Sequence, residues 1–350
     1  MPASDPDGAF KTHSNYIRAF DTAMSTHYAP DEYLWGSPID KVLSALADGV
    51  RSSPAYMSLS DRSAKADTER VAKSLRSAWG TEYLLASTGA IADDELIAHA
   101  NNWAVVQVYY AIFHAVHALI IALGESSPRK HAALRGKFAN LFSSRMPSLV
   151  PWSLGWDANG DKNLPPGRTM PTVKSWVACT DESCWHLVGL AIRKTRERSI
   201  AGRRKQMRED LRKSAEKAWN EVEQKRLAEG KPPRKKKKFP LPQLKDEQKK
   251  SIAKNVRTTT ILDYLYRLRI RSNYEDASMF TEGPEDSDQS RDVHERLCRI
   301  TSGTLLVHEI LIEKLIGRDN LCDLLDKWSL PTGLALGNIG VGARRSLLCP

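Results

Sequence analysis

The chain has 350 residues, 41% hydrophobic and 27% charged, with 20 Gly and 18 Pro. That is ordinary globular composition, which excludes a collagen-like, coiled-coil or wholly disordered chain and suffices for one enlarged domain or two modest ones. The formal net charge is +10, and five Cys form a sparse, odd set that argues against a secreted disulfide scaffold, so free thiols are expected.

The first 64 residues read as a helical or irregular extension. Their start, MPASDPDGAFKTHS, has neither a basic opening nor an apolar run, so no secretory signal is visible and the cytoplasm is expected. From Lys65 to Ser87, Val71, Leu75, Trp79 and Leu84 recur near helical spacing. A second helix is predicted from Ile91 to Leu123, with Asp93 or Asp94 suited to its start and Gly124 to its end. Its most apolar part, Trp103 to Leu123, contains Gln107, two Tyr and two His, which argues against a membrane span. It suits the central helix of a bundle. His131 to Phe142 forms a short amphipathic helix.

Ser143 to Val173 is rich in Pro, Gly and Trp and reads as an irregular connection. Cys179, Cys184 and His186 suggest zinc only superficially, because the spacing is not that of a knuckle and no fourth ligand is adjacent. Trp152, Trp156, Trp176 and Trp185 suit stapling of this connection onto the core better than stacking of bases.

Basicity is concentrated in one segment. Residues 193–257 carry 24 Lys/Arg against 9 Asp/Glu. The first part reads as a long polar helix that protrudes or packs through a thin stripe, with Arg203, Arg204, Lys205, Arg208, Arg212 and Lys213 near helical spacing. The second part combines four Pro with the basic run Arg234, Lys235, Lys236, Lys237 and Lys238, so it should be an exposed and mobile loop. The helix lacks a broad Phe/Leu/Trp face for lipid, so these eleven residues point to nucleic acid rather than a membrane, although a basic run can also be simply solvated.

Helices follow at Thr258 to Asn273 and Asp288 to Ile316, and Leu330 to Pro350 reads as a Gly-rich tail. No alternating strand pair is evident. In the first of these helices Arg267 and Arg271 share a face four residues apart, while Arg269 points away. Any of them that faces the core needs an anionic partner, since an unpaired buried guanidinium is prohibitively costly. No P-loop, dinucleotide fingerprint, GxSxG elbow or HExxH occurs, which leaves the familiar nucleotide hydrolases, oxidoreductases, serine hydrolases and zincins unsupported.

Three stretches in this order, YYAIFHAVHALI (109–120), His131 with Phe138, and LRIRSNYEDA (268–277), resemble the HEPN family, the nucleotide-binding helical domains of higher eukaryotes and prokaryotes. The resemblance implies an all-α antiparallel helical bundle formed by residues 65–142 and 256–316, with 143–255 as a basic helix-loop insertion and 317–350 as a C-terminal tail. It further implies a homodimer, a cognate antitoxin or nucleotidyltransferase as partner, and RNA as the target in a toxin-antitoxin or phage-defence system, without cofactor or metal.

HEPN ribonucleases carry an Arg, a following polar residue and a His four to six residues from the Arg, paired across a dimer. Here Arg271 is followed by Ser272, Asn273 and Tyr274 but by no His at that distance. Arg271, His114, His117, Asn273 and Tyr274 are the expected catalytic set, with His131 as an alternative histidine, provided the fold brings them together. The two His equally suit satisfied bundle histidines, and Asn273 and Tyr274 suit a helix terminus. Three readings stay open: a metal-independent endoribonuclease, a non-catalytic module that binds a nucleotide or partner protein, and, behind these, a purely structural DNA-binding accessory protein.

Overall fold

The computed structural model describes residues 6–29, 39–61, 66–166, 168, 178–235, 237–276, 278–332 and 340–349. Within them the protein is overwhelmingly helical, as expected. Helices α1 (Pro6–Tyr28), α2 (Ile39–Arg51) and α3 (Pro54–Met57) precede a hairpin of α4 (Thr68–Ile91) and α5 (Asp94–Ala122). The Asp67 and Asp93 side chains cap α4 and α5 by accepting from backbone N–H groups three residues on, at 3.0 and 2.8 Å. Gly124, at φ +72°, takes the left-handed turn that ends α5.

Next come α6 (His131–Ala139) with a π-helical turn (Asn140–Arg145), the long α7 (Cys184–Ala228), α8 (Asp246–Lys254), and α9 (Ile261–Ile270) with a second π-turn (Arg271–Glu275). The chain closes with α10 (Ser287–Ile316), α11 (Arg318–Thr332) and α12 (Val341–Leu348). The last two replace much of the expected tail. The expectation of no strands also needs correction, since Gly155–Asp157 (β1), Gly160–Lys162 (β2) and Thr259–Thr260 (β3) form a small antiparallel sheet in the order β2-β1-β3. Two or three residues are too few for alternation to register.

Side-chain pairs give the helix directions. His294 bonds to the Leu85 carbonyl and Trp79 to Glu309, so α10 runs antiparallel to α4 and hence parallel to the other arm of the hairpin, α5, where Asn101 donates to the Ser290 carbonyl. In α9, Ser272 meets Asn102 and Arg269 meets Tyr110, which makes α9 antiparallel to α5. Helix α5 lies at the centre. By length and composition Glu95–Ala122 would cross a membrane, but 78% of its most apolar window is buried inside the protein, as in a core helix.

One hydrophobic cluster extends from Phe10 to Leu348. The segments read as extension, insertion and tail therefore share the core of the bundle. Phe10, Ile17, Phe20 and Met24 of α1 enter it, as do Trp185, Leu187, Val188 and Ile192 at the start of α7. Trp152 is buried, its Nε1–H donating to Thr304 Oγ1 at 2.9 Å, and Trp156 lies 5.3 Å from the Arg193 guanidinium. These three Trp are structural staples, and Trp176 lies outside the described residues.

At its far end Arg344 of α12 is fully buried between Glu82 and Glu309. Cys322 and Cys349 form a disulfide joining α11 to α12, contrary to the expectation of free thiols, while Cys179, Cys184 and Cys298 are free and buried. Burial pushes the Cys179 and Cys184 thiols up to about 11 and 12, and among the described residues no group of three or more His, Cys, Asp or Glu is placed to hold a metal.

Candidate functional site

The arginines of α9 divide as their spacing predicts, and the division splits the expected catalytic set. Arg271 turns toward α1, where its Nη1 donates to His13 Nε2 at 2.5 Å and its Nε to Asp276 at 2.6 Å. Because a guanidinium only donates, Nε2 is the accepting nitrogen and Nδ1–H bonds to the Tyr264 hydroxyl at 3.1 Å. Burial, reinforced by the Arg271 charge, pushes His13 down to about 3, so it is neutral at pH 7. Arg267 pairs with Glu275, and Arg198 of α7 adds a third guanidinium whose pKa is lowered by burial and by Arg271 and Arg267.

His114 and His117 lie elsewhere. Ser272, next to Arg271, donates to the Asn102 carbonyl at 2.7 Å, and His114 and His117 follow Asn102 by 12 and 15 residues on α5. At 1.5 Å per residue they sit roughly 18 and 22 Å farther along the helix. The single centre of Arg271 with His114 and His117 is thus not formed. Asn273 makes no side-chain hydrogen bond among the described residues, and Tyr274 is 74% exposed.

Arg269 occupies the place near the histidines. Its Nη2 donates to the Tyr110 hydroxyl at 2.9 Å, and its guanidinium carbon lies 4.9, 5.7 and 5.8 Å from the ring centroids of Tyr110, Tyr109 and Tyr266. Such a cage holds a cation by its ring faces without neutralising it by a carboxylate. The Tyr109 hydroxyl bonds to His131 Nδ1 at 2.9 Å, and Phe113 packs between His131 and His117 at centroid distances of 4.7 and 4.6 Å. His114 stacks on Tyr110, and His117 is bonded to Ser127.

All three rings are half-buried and held below the usual histidine range. Burial is the main cause; His114 and His131 add to it for His117, which reaches about 4, and Arg269 and Arg135 add to it for His131. The cluster thus offers neutral imidazoles beside a guanidinium, a set able to accept a proton and offset anionic charge. Helical spacing places Arg269 away from Arg267 and Arg271 but does not by itself assign it to this site. Tyr266, one turn before Arg269, is the available signal. His13 gives none, since its partner lies 258 residues away.

The basic segment forms an arm. Helix α7 has 45 residues, about 68 Å of helix, and beyond Arg196 its only buried residue is Glu223. At the root, Arg196 donates to the carbonyls of Ala253, Val256 and Arg257 at 2.7, 2.7 and 2.8 Å. The Pro-rich segment is not a free loop: it returns along α7, where Arg208 donates to the Pro242 carbonyl at 2.9 Å, Trp219 meets Phe239 at 6.3 Å, and Glu223 accepts from the Arg234 backbone at 2.7 Å.

Its cations differ in availability. Arg203 and Arg204 reach the Asn255 and Lys249 carbonyls, and Arg212 pairs with Glu209 and Glu216. Arg234 also pairs with Glu223 through its side chain. Lys205, Lys213, Lys235, Lys237 and Lys238 are exposed and without an ion-pair partner among the described residues; Lys236 lies outside them. Root and tyrosine cage share one network, since Asp263 accepts from both Arg257 and Arg135, and the Arg135 guanidinium lies 3.9 Å from the Tyr266 ring centroid. No protein-family model, curated protein or solved structure matches the chain.

Proposed function

We propose that the protein is an RNA-directed effector on a HEPN-like bundle, a metal-independent endoribonuclease of the toxin-antitoxin or phage-defence kind. The arm holds the phosphate backbone, and the Arg269 cluster meets the scissile phosphate. The observation that carries this reading is Arg269, caged by three tyrosines and, among the described residues, without a carboxylate partner, beside imidazoles kept neutral by burial. In the reaction a neutral imidazole, His131 foremost, takes the 2′-hydroxyl proton. The 2′-oxygen bonds to phosphorus, the bond to the 5′-oxygen breaks, and the imidazolium returns the proton to that leaving oxygen. Arg269 offsets the charge of the phosphorane.

A homodimer belongs to the reading. Trp103 and Tyr274, 64% and 74% exposed, lie within two residues of the Ser272–Asn102 bond, and a second copy would meet them near Asn273. A cognate antitoxin or nucleotidyltransferase would be the cytoplasmic partner. The second reading, a non-catalytic module binding a nucleotide or partner protein, is favoured by Arg271, whose guanidinium is already engaged by His13 and Asp276.

The test is RNA binding by the purified protein and by a variant with alanine at 234–238, over a salt series. The reading expects weaker binding by the variant and a smaller salt slope, by about 0.7 for each single-strand phosphate that the variant no longer neutralises. Unchanged affinity at physiological salt would remove the arm from the account.

A further inference from the structure

The arm carries a feature that electrostatic grip alone does not require. Between α7 and the returning segment lies an open pocket of about 410 Å³. Its lining includes Leu211, Trp219 and Phe239 together with Arg212, Lys237 and Lys238, the Lys237 ammonium lying 5.9 Å from the Phe239 ring centroid. The Trp219 and Phe239 rings meet at 67° with centroids 6.3 Å apart, forming a corner rather than a closed stack. A flat ring entering that corner would lie against one face and meet the edge of the other, an arrangement aromatic pairs favour.

The surrounding charge selects the occupant. Glu209 and Glu216 are engaged by Arg212 and Glu223 by Arg226 and Arg234, while Asp210 accepts from the Gln206 amide. Lys213, Lys237 and Lys238 have no anionic partner among the described residues. An aromatic corner edged by uncompensated lysines matches the two parts of an unpaired nucleotide: a base for the rings and a phosphate for the ammonium groups. Double-stranded RNA keeps its bases stacked inside the helix and presents only the second part.

We propose that the Trp219–Phe239 corner is a base-stacking subsite for single-stranded RNA, which seats one unpaired base against the corner while Lys237 and Lys238 hold its flanking phosphates. This rests on the reading of the arm as an RNA-binding element and deepens it, because it makes the arm selective for unpaired strands.

The experiment measures affinity of the full chain for a 12-nucleotide RNA, for an abasic phosphodiester of equal length and charge, for a 12-base-pair RNA duplex and for poly-glutamate, with the native chain and with Trp219→Ala, Trp219→Phe and Phe239→Ala. A 5-bromouridine oligomer is cross-linked in parallel and the attached peptide identified by mass spectrometry. Stacking on one aromatic side chain is worth about 1–3 kcal/mol per base, which is about fivefold to a hundredfold in affinity. The single strand should therefore bind the native chain at least fivefold more tightly than the abasic oligomer. Trp219→Ala should erase that difference, Trp219→Phe should keep most of it, and the cross-link should fall on the peptide with Trp219 or Phe239.

Equal affinity for RNA and the abasic chain, or a difference that survives both alanine variants, would overturn the subsite and leave the electrostatic arm standing. Tighter binding of poly-glutamate than of RNA would reassign the pocket to an acidic protein segment. No binding of any nucleic acid would overturn the subsite and the functional reading together.

Discussion

Arg271 donates to His13 across 258 residues of sequence, and the same guanidinium is held by Asp276. The contact fastens α1 to the end of α9. Its consequence is that Arg271 acts first on the fold: Arg271→Ala removes a bonded cation from Asp276, whose side chain is only 10% exposed, and the anchor of α1 at His13. Removing one partner of a buried pair costs about 3–5 kcal/mol. Urea denaturation of Arg271→Ala should show a loss of this size, whereas a change below about 1 kcal/mol would return Arg271 to the open functional arginines.

Arg344 is the more deeply buried case. It bonds to Glu82, Glu309 and Ser302, while Trp79 Nε1–H donates to Glu309 at 2.7 Å. Arg344→Met leaves two carboxylates in the core facing a thioether, at a cost of about 3–5 kcal/mol. Adding Glu82→Gln and Glu309→Gln removes the uncompensated charge, so the triple variant should recover part of the loss. A triple variant less stable than Arg344→Met would contradict the account of two buried carboxylates held by one guanidinium.

Cys322 and Cys349 are 27 residues apart and join the last two helices. A cross-link of that span stabilises by about 3–4 kcal/mol through the unfolded chain in the loop-entropy model. Reduction of the native chain and the Cys322→Ser substitution should therefore lower the urea midpoint by the same amount. A midpoint insensitive to dithiothreitol would show the bond absent from the folded protein in solution.

His308 sets a pH dependence. Its Nδ1–H donates to the Thr304 carbonyl at 2.7 Å, its Nε2 is buried without a hydrogen-bond partner among the described residues, and burial pushes the ring down to about 4. An unfolded histidine titrates near about 6.5, so between these values the unfolded chain binds more protons than the native one. This contribution is fully present above about 6.5 and is lost as pH falls toward 4, at up to about 1.4 kcal/mol per pH unit. His13, lowered to about 3, steepens the same window and carries it further down. His308→Leu should flatten the fall in stability between pH 6.5 and 4.5, and an unaltered slope would count against a neutral buried ring.

The local features are legible in the sequence because local chemistry makes them. Asp93 and Gly124 mark the ends of α5, and the spacing of Arg267, Arg269 and Arg271 assigns them to two sides of α9. What is not legible depends on distant partners. Its glycines make the segment that holds α12 look like a tail, and nothing near Arg344 in sequence announces Glu82 and Glu309. The Pro-rich return reads as a free loop because proline removes helical bonding, yet Phe239 reaches Trp219, 20 residues back, and pins it to α7. Resemblance groups His114 and His117 with Arg271, and helix length separates them.

The most direct measurement is digestion of total RNA and a tRNA pool in EDTA by the native chain and by Arg269→Ala, Arg269→Lys and His131→Ala, each confirmed folded by its urea midpoint. The account predicts metal-independent cleavage by the native chain that falls at least 100-fold, roughly 2.7 kcal/mol of transition-state stabilisation, in Arg269→Ala and His131→Ala, with partial activity in Arg269→Lys. Absence of cleavage by the native chain, or cleavage that survives Arg269→Ala, would contradict it.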